Sequence, residues 1–160
     1  MIRLYKCDDG GKPVAYHELW IEPQHRRIVE HWGYIGDPGD TLTHRIKILR
    51  SLEKQVNALI EPVRALGFEE LPERAFSTLI IVYPKGDKSP EEVRDTREDI
   101  EDALTEKLGW TGLGYCDEGR EVAETYEIYC RVVDYAGAEK VIAESLDASV
   151  FGDYSRIYQE

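Results

Sequence analysis

The segment His31–Asp40 reads HWGYIGDPGD and holds three glycines, one proline and two aromatic residues. Glycine and proline at this density predict a tight reversal of the chain. The flanking runs Arg26–Tyr34 and Thr41–Ile48 have the composition of strands. The segment therefore predicts a turn that places two strands side by side in an antiparallel sheet.

The rest of the first half adds two strands and a helix to this turn. The runs Ile2–Cys7 and Val14–Glu22 are strand-like and are separated by a glycine-rich turn. Ser51 is predicted to cap a helix, and apolar residues follow it at steps of three and four. Pro62 predicts a kink or a shortened helix, and Gly67 predicts its end. Residues 1–70 therefore predict a small antiparallel sheet with one helix.

The second half has a different pattern, and the polar residues 69–75 form the predicted linker. A capping box, Ser-Pro-Glu-Glu at 89–92, predicts the start of a helix. The predicted order is a strand at 76–83, this helix, strands at 110–116 and 126–133, a helix over 138–146 and a strand at 154–158. This β-α-β-β-α-β order predicts a ferredoxin-like domain over residues 75–160. The whole chain is expected to have an α+β fold.

The opening segment resembles the signature of WGR domains, a Trp-Gly-Arg run followed by an aliphatic residue and glycine. The run Trp32-Gly33-Tyr34-Ile35-Gly36 matches at tryptophan, both glycines and the aliphatic position. The resemblance covers about residues 1–70 and implies contact with damaged DNA or with neighbouring domains. Tyr34 stands where the family has arginine, and tyrosine cannot make the bidentate phosphate contact of a guanidinium. The nucleic-acid function of the family therefore does not follow from the fold.

Charge and cysteine content limit the classes of function. The net charge is −12, and residues 75–160 hold 20 Asp and Glu against 9 Lys and Arg. Such an acidic half is a poor candidate for binding phosphates. Three cysteines with no close pairing are typical of a reducing compartment. With no leader-like start and no apolar run of about 18 residues, we expect a cytoplasmic protein without a membrane partner.

The first half holds the candidate binding residues. Trp32 and Tyr34, with Arg27, His31 and Arg45, predict a surface for an anion, nucleic acid or partner protein. The alternative is a solvated sheet edge whose cations are balanced by neighbouring glutamates.

No pattern in the chain predicts catalysis or a metal site. The four histidines lack metal-ligand spacing, and no nucleophile or acid–base pair stands out. Cys116 and Cys130 are expected side by side on neighbouring strands, as small buried apolar groups. We therefore expect a non-enzymatic protein with no cofactor and no metal.

The second half offers one further candidate surface. A ferredoxin-like sheet has helices on one face only, and Tyr83, Tyr115 and Tyr129 are predicted to line the other. Such a face suits packing against another domain, a second subunit or another protein.

These features predict a bacterial binding protein that contacts a protein partner or self-associates. The alternatives are binding of damaged DNA through the WGR-like half, an immunity or antitoxin-type protein, and a small-molecule sensor.

Overall fold

The computed structural model describes all residues from Met1 to Glu160. The chain forms two compact units, Met1–Pro72 and Glu73–Glu160. Both combine an antiparallel sheet with helices, which confirms the predicted α+β fold. None of the three helices has the length and apolar character needed to cross a bilayer.

The first unit is a four-stranded meander followed by one helix. Strands β1 (Ile2–Cys7), β2 (Pro13–Glu22), β3 (Arg27–Tyr34) and β4 (Asp40–Arg45) pair in chain order. Helix α1 spans Leu52–Ala65 and is capped by the Ser51 side chain, which accepts from the Lys54 amide. Helix α1 continues past Pro62 for three residues, so the proline does not end it.

One face of this sheet packs on α1. Because strands alternate their side chains between faces, Leu4, Leu19 and Ile28 share the helix side. They form the core with Ile60 and Val63 of the helix. Burial of each of these five side chains contributes about 1.5–3 kcal/mol to the stability of the unit.

Strand β4 is shorter than the predicted run Thr41–Ile48. Gln55 of α1 accepts from the Lys47 amide at 2.8 Å and donates to the Lys47 carbonyl at 3.1 Å. These side-chain bonds replace ladder bonds at Lys47. The chain therefore leaves the sheet after Arg45 and turns into α1.

The second unit has the predicted element order. Its elements are β5 (Ser77–Pro84), α2 (Pro90–Trp110), β6 (Gly114–Val122), β7 (Thr125–Val132), α3 (Tyr135–Asp147) and β8 (Arg156–Gln159). The strand order in the sheet is β6-β7-β5-β8, and all pairs are antiparallel. The capping box at Ser89 is present, with Glu92 as its acid.

Strand β6 differs most from its prediction. The acidic residues after Cys116, expected in a connection, belong to β6 and pair with β7 through a register shift between Asp117 and Arg120. Trp110, expected in that strand, ends helix α2. The hairpin can be this tight because Ala123 adopts a left-handed conformation, with φ of 47°.

Tyr83 does not lie on the helix-free face, which corrects the sequence prediction. Tyr83 is opposite Tyr126 in the register, and the two rings stack at 5.1 Å. Both side chains are fully buried on the core face, together with Ile128 and Cys130. The prediction was wrong because the face on which a β5 side chain lies depends on how β5 pairs with β7. The sequence of β5 alone does not fix this pairing register.

Candidate binding site

The register of the first sheet separates the predicted binding residues onto two faces. Trp32 is opposite His17, and Tyr34 is opposite Ala15, so both aromatic residues lie on the helix side. Arg27 is opposite Arg45 on the other side, near the far end of β3. His31 also lies on that other side. The five residues therefore do not form one surface.

The helix side carries an open cleft of about 680 Å³ beside the C-terminal end of α1. We call it the aromatic cleft. Its floor is the small residue Ala15, which leaves a gap between Lys6 and Tyr34 in the same cross-strand row. The lining residues are Lys6, Ala15, Tyr16, His17, Glu30, Trp32, Gly33, Tyr34, Asp37, Gly39, Asp40, Val63, Leu66 and Phe68.

Aromatic rings form one wall of the aromatic cleft. The His17 ring stacks on Trp32 with 5.9 Å between ring centroids and an interplanar angle of 15°. Phe68 meets His17 edge-on at 6.1 Å. Tyr34 is 72% exposed, an unusual position for a large aromatic side chain without a packing role. The wall therefore offers ring faces to a ligand.

The rim of the aromatic cleft is acidic. Asp37 and Asp40 line it and form no ion pair, while Glu30 lies 3.6 Å from the Nε2 atom of His44. Lys6 is the one ammonium group among the lining residues, and it forms no salt bridge. Three carboxylates against one ammonium give the cleft an anionic character.

His17 is buried in the wall of the cleft. Its Nε2 atom is inaccessible to solvent and has no hydrogen-bond partner. Burial lowers the pKa of His17 below its ordinary value of 6.5, because desolvation disfavours the charged ring. Glu30 opposes this shift but does not cancel it. The ring is therefore neutral near pH 7 and adds no positive charge to the cleft.

We expect the first unit to lose stability as the pH falls below about 6.5 because of His17. The unfolded chain binds a proton at this residue near its ordinary pKa, whereas the folded chain binds it only at a lower pH. Acid therefore favours unfolding, by at most about 1.4 kcal/mol per pH unit. Urea unfolding at pH 7.5 and 5.5 should show a smaller decrease in His17→Phe than in the parent chain.

The matched control for this measurement is His25→Gln, which removes an exposed histidine of the same unit. It should keep the pH dependence of the parent. An unchanged pH dependence in His17→Phe would show that His17 is protonated equally in the two states.

The opposite face of the sheet holds a buried polar row. Arg3, Glu18 and His31 are opposite one another on three neighbouring strands. Arg3 donates to Glu18, and the other carboxylate oxygen lies 3.1 Å from Nδ1 of His31. Nε2 of His31 lies 2.6 Å from the Pro38 carbonyl, which can only accept. The predicted binding role of His31 does not fit this position, because the side chain is 1% exposed and both nitrogens are engaged.

The glycines of HWGYIGDPGD allow the turn to fold over this row. The Tyr16 hydroxyl donates to the Asp37 carbonyl at 2.9 Å and lies 3.0 Å from Nε2 of His31. A Cβ on Gly33 would lie 2.8 Å from the Cα of Gly39 and 2.9 Å from the Tyr16 hydroxyl. The signature segment thus closes the turn onto the buried Tyr16.

A basic surface lies at the far end of β3 and β4. We call it the basic edge, and its residues are Arg26, Arg27, Arg45, Lys47 and Arg50. Arg27 pairs with Glu22, and the other four cations form no salt bridge. Ile48 and Leu49 are exposed in the same loop. Of the predicted binding residues, the basic edge holds Arg27 and Arg45 but not Trp32, Tyr34 or His31.

The helix-free face of the second sheet combines tyrosines with arginines. The register places Tyr115, Tyr129 and Tyr158 on this face. The guanidinium of Arg120 lies 5.3 Å from the centre of the Tyr129 ring, and that of Arg156 lies 4.7 Å from the Tyr158 ring. Burial and the hydrogen bond to Glu127 raise the pKa of Tyr129 to about 12. Two of the three predicted tyrosines are therefore on the expected face.

Sequence reasoning missed the groups that complete the aromatic cleft. Lys6 reaches the cleft from the edge strand β1, and His17 reaches it from the middle of β2. Phe68 reaches it from the segment that follows α1. His17 could have been found from the sequence, because strand pairing places it opposite Trp32 on the same face of the sheet. The position of Phe68 could not, because it depends on how α1 packs on the sheet. Comparison with protein-family models, curated proteins and solved structures gives no match for this chain.

Proposed function

We propose that this chain is a non-enzymatic binding protein whose first unit holds a cationic side chain of a partner protein in the aromatic cleft. The observation that carries this proposal is the combination of open ring faces with carboxylates that have no ion pair. Tyr34 is exposed, and Asp37 and Asp40 lie beside it. Guanidinium and ammonium groups bind aromatic faces and carboxylates together.

The charge balance of the cleft supports a cationic ligand over an anionic one. Glu30, Asp37 and Asp40 outnumber Lys6, and His17 stays neutral because burial lowers its pKa. An arginine side chain is favoured because its flat guanidinium stacks on a ring and still donates to a carboxylate. Trp32 and Tyr34 supply the rings for this contact.

The other titratable cluster of the unit supports binding rather than catalysis. Tyr16, Glu18 and His31 form a chain of the kind that can move protons, but all three are buried. Their polar atoms bind Arg3 and the carbonyls of Asp37 and Pro38. We infer that this cluster stabilises the turn and does not meet a substrate.

The family and source assignments belong to the same proposal. The WGR-like assignment of residues 1–70 is supported by Trp32, Gly33, Ile35 and Gly36 within a meander followed by a helix. The ferredoxin-like assignment of residues 75–160 is supported by the sheet order β6-β7-β5-β8. A bacterial source, a cytoplasmic location and a protein partner complete the proposal.

The proposed ligand chemistry predicts a response at Trp32. In a ¹⁵N-labelled chain the three tryptophans give three indole N–H resonances, and Trp32→Phe assigns one of them. Titration with N-acetyl-arginine amide should shift the Trp32 resonance with saturation in the millimolar range, as expected for a single side chain. N-acetyl-citrulline amide, which has the same shape without the charge, should cause no comparable shift.

Two carboxylate variants make this test specific to the cleft. Asp40→Asn should weaken the arginine response, whereas Glu53→Gln, an exposed acid on α1 outside the cleft, should not. Equal responses to arginine and citrulline would overturn the proposal. So would equal weakening by both variants, since it would indicate attraction to the overall negative charge.

The basic edge supports nucleic-acid binding as a second candidate function. Four cations without salt bridges lie within one short stretch of surface, in a unit whose acidic and basic residues nearly balance. Phosphate contacts by such residues supply most of the affinity for nucleic acid. The same labelled chain titrated with a nicked DNA duplex at low salt distinguishes the two functions. Shifts at Arg45 and Lys47 with none at Trp32 would favour this second function.

A further inference from the structure

Cys116 and Cys130 form a closely opposed pair in the second sheet. They are directly opposite in the register of β6 and β7, and their Sγ atoms are 2.7 Å apart. Directly opposite residues of antiparallel strands have Cα atoms about 4.5–5.5 Å apart, within the range that a disulfide spans. The two sulfurs can therefore be joined without moving the backbone.

We propose that Cys116 and Cys130 are an oxidation site that closes to an intrachain disulfide by exchange with a small-molecule disulfide such as oxidised glutathione. In the first step the Cys116 thiolate attacks one glutathione sulfur, and one glutathione thiolate leaves. In the second step Cys130 attacks the Cys116 sulfur, and the second glutathione leaves. Two protein thiols are oxidised, and one external disulfide is reduced to two thiols.

The exposure of the two cysteines sets their order of reaction. Cys116 is partly exposed on the edge strand β6, whereas Cys130 is fully buried on the inner strand β7. An external disulfide therefore reaches Cys116 first, and Cys130 resolves the mixed disulfide. The neighbouring Cys116 thiol and burial raise the pKa of Cys130 well above its ordinary range, so the second step should accelerate as the pH rises.

The third cysteine provides an internal comparison. Cys7 ends β1, where its register partner is Pro13. Burial raises the pKa of the Cys7 thiol, with smaller contributions from Asp8 and Glu69. Cys7 lacks the cross-strand thiol that would resolve a mixed disulfide in its sheet. It should therefore react slowly and remain a free thiol while the other two cysteines are joined.

The bond would join the edge strand to the interior of the sheet. Cys116 lies one residue before the last in-register pair, Asp117 with Tyr129, after which the pairing of β6 with β7 shifts. A covalent link at Cys116 holds residues 114–117 of β6 in register with β7. This register does not depend on the pairing of residues 120–122, which follow the shift. Oxidation would therefore stabilise the hairpin without altering the fold.

The test uses the full chain incubated with oxidised glutathione, followed by thiol titration and intact mass under non-reducing conditions. The free thiol count should fall by two, from three, with a linked 116–130 peptide after digestion. Cys7→Ser should retain the linkage. Cys130→Ser should instead accumulate a single glutathione adduct at Cys116, and Cys116→Ser should leave Cys130 reduced.

A control in urea separates proximity in the fold from general thiol reactivity. The linkage should form faster in the native chain than in the unfolded chain at the same pH and glutathione concentration. A stable adduct at Cys116 in the parent chain, with Cys130 still reduced, would overturn the proposal. A linkage that forms at equal rates in folded and unfolded chains would also overturn it.

Discussion

Gly39→Ala should destabilise the first unit by more than about 3 kcal/mol. Gly39 has a φ of 65°, a conformation that favours glycine. An added Cβ would collide with the carbonyl oxygen of Trp32 and lie 2.6 Å from the Tyr16 hydroxyl. The carbonyl belongs to the β3 backbone, and Tyr16 is fully buried, so neither group can move aside cheaply.

Gly36→Ala is the matched control, because it changes the same residue type in the same turn. Gly36 has a φ of 94°, but a Cβ there would have no neighbour within 4 Å. Only backbone strain remains, about 1–2 kcal/mol. Urea unfolding followed at the indole resonances of Trp20 and Trp32 reports on this unit alone. Equal unfolding midpoints for the two variants would show that the turn does not close on Tyr16 as described.

Glu18→Ala should cost the first unit about 3 kcal/mol, the second large effect that we expect. Glu18 is 3% exposed and is the acceptor for Arg3, with His31 on its other oxygen. Its removal takes the carboxylate acceptor away from the partly buried guanidinium of Arg3 and the buried imidazole of His31. Loss of a charged acceptor away from solvent costs more than loss of an exposed one, because water does not replace it. Glu18→Gln keeps an acceptor and should lose less.

Glu22→Ala is the comparison for this substitution. Glu22 lies on the same strand and the same face as Glu18, and it pairs with Arg27. That pair is much more exposed to solvent than Glu18, so its loss should change the urea midpoint less. The same indole resonances give the measurement. If both substitutions had equally small effects, the polar row would not be a source of stability.

The order of the elements could be predicted from the sequence because local signals mark each one. Ser51 and Ser89 act as helix caps where the sequence placed them. Strand β1 has the predicted bounds, Ile2–Cys7. Errors occur where a distant contact decides the outcome, as when Gln55 of α1 binds the backbone of Lys47 just after β4 has ended at Arg45. No local property of residues 46–48 indicates that contact.

The candidate site could be predicted only in part, because face and register matter more than residue type. Trp32 and Tyr34 lie on one face of β3. Arg27 and His31 lie on the opposite face, so the alternation of side chains along the strand alone separates the two pairs. The sequence prediction grouped them by proximity along the chain. Tyr83 shows the complementary problem, since its face depends on pairing with Tyr126. Phe68 reaches the aromatic cleft only because α1 packs on the sheet. Neighbouring residues in the sequence do not predict that packing.

The edges of the two sheets differ in their ability to accept another chain's backbone. In the second sheet, β8 is four residues long, and the amides of Cys116 and Gly119 on β6 already donate to Thr105 and Glu101. In the first sheet, Tyr5 on β1 exchanges two backbone bonds with Glu69. Strand β4 has an exposed outer edge without such bonds, from Asp40 at the aromatic cleft to Arg45 at the basic edge. A partner that joins by strand addition would therefore pair with β4 and lie along both candidate surfaces at once.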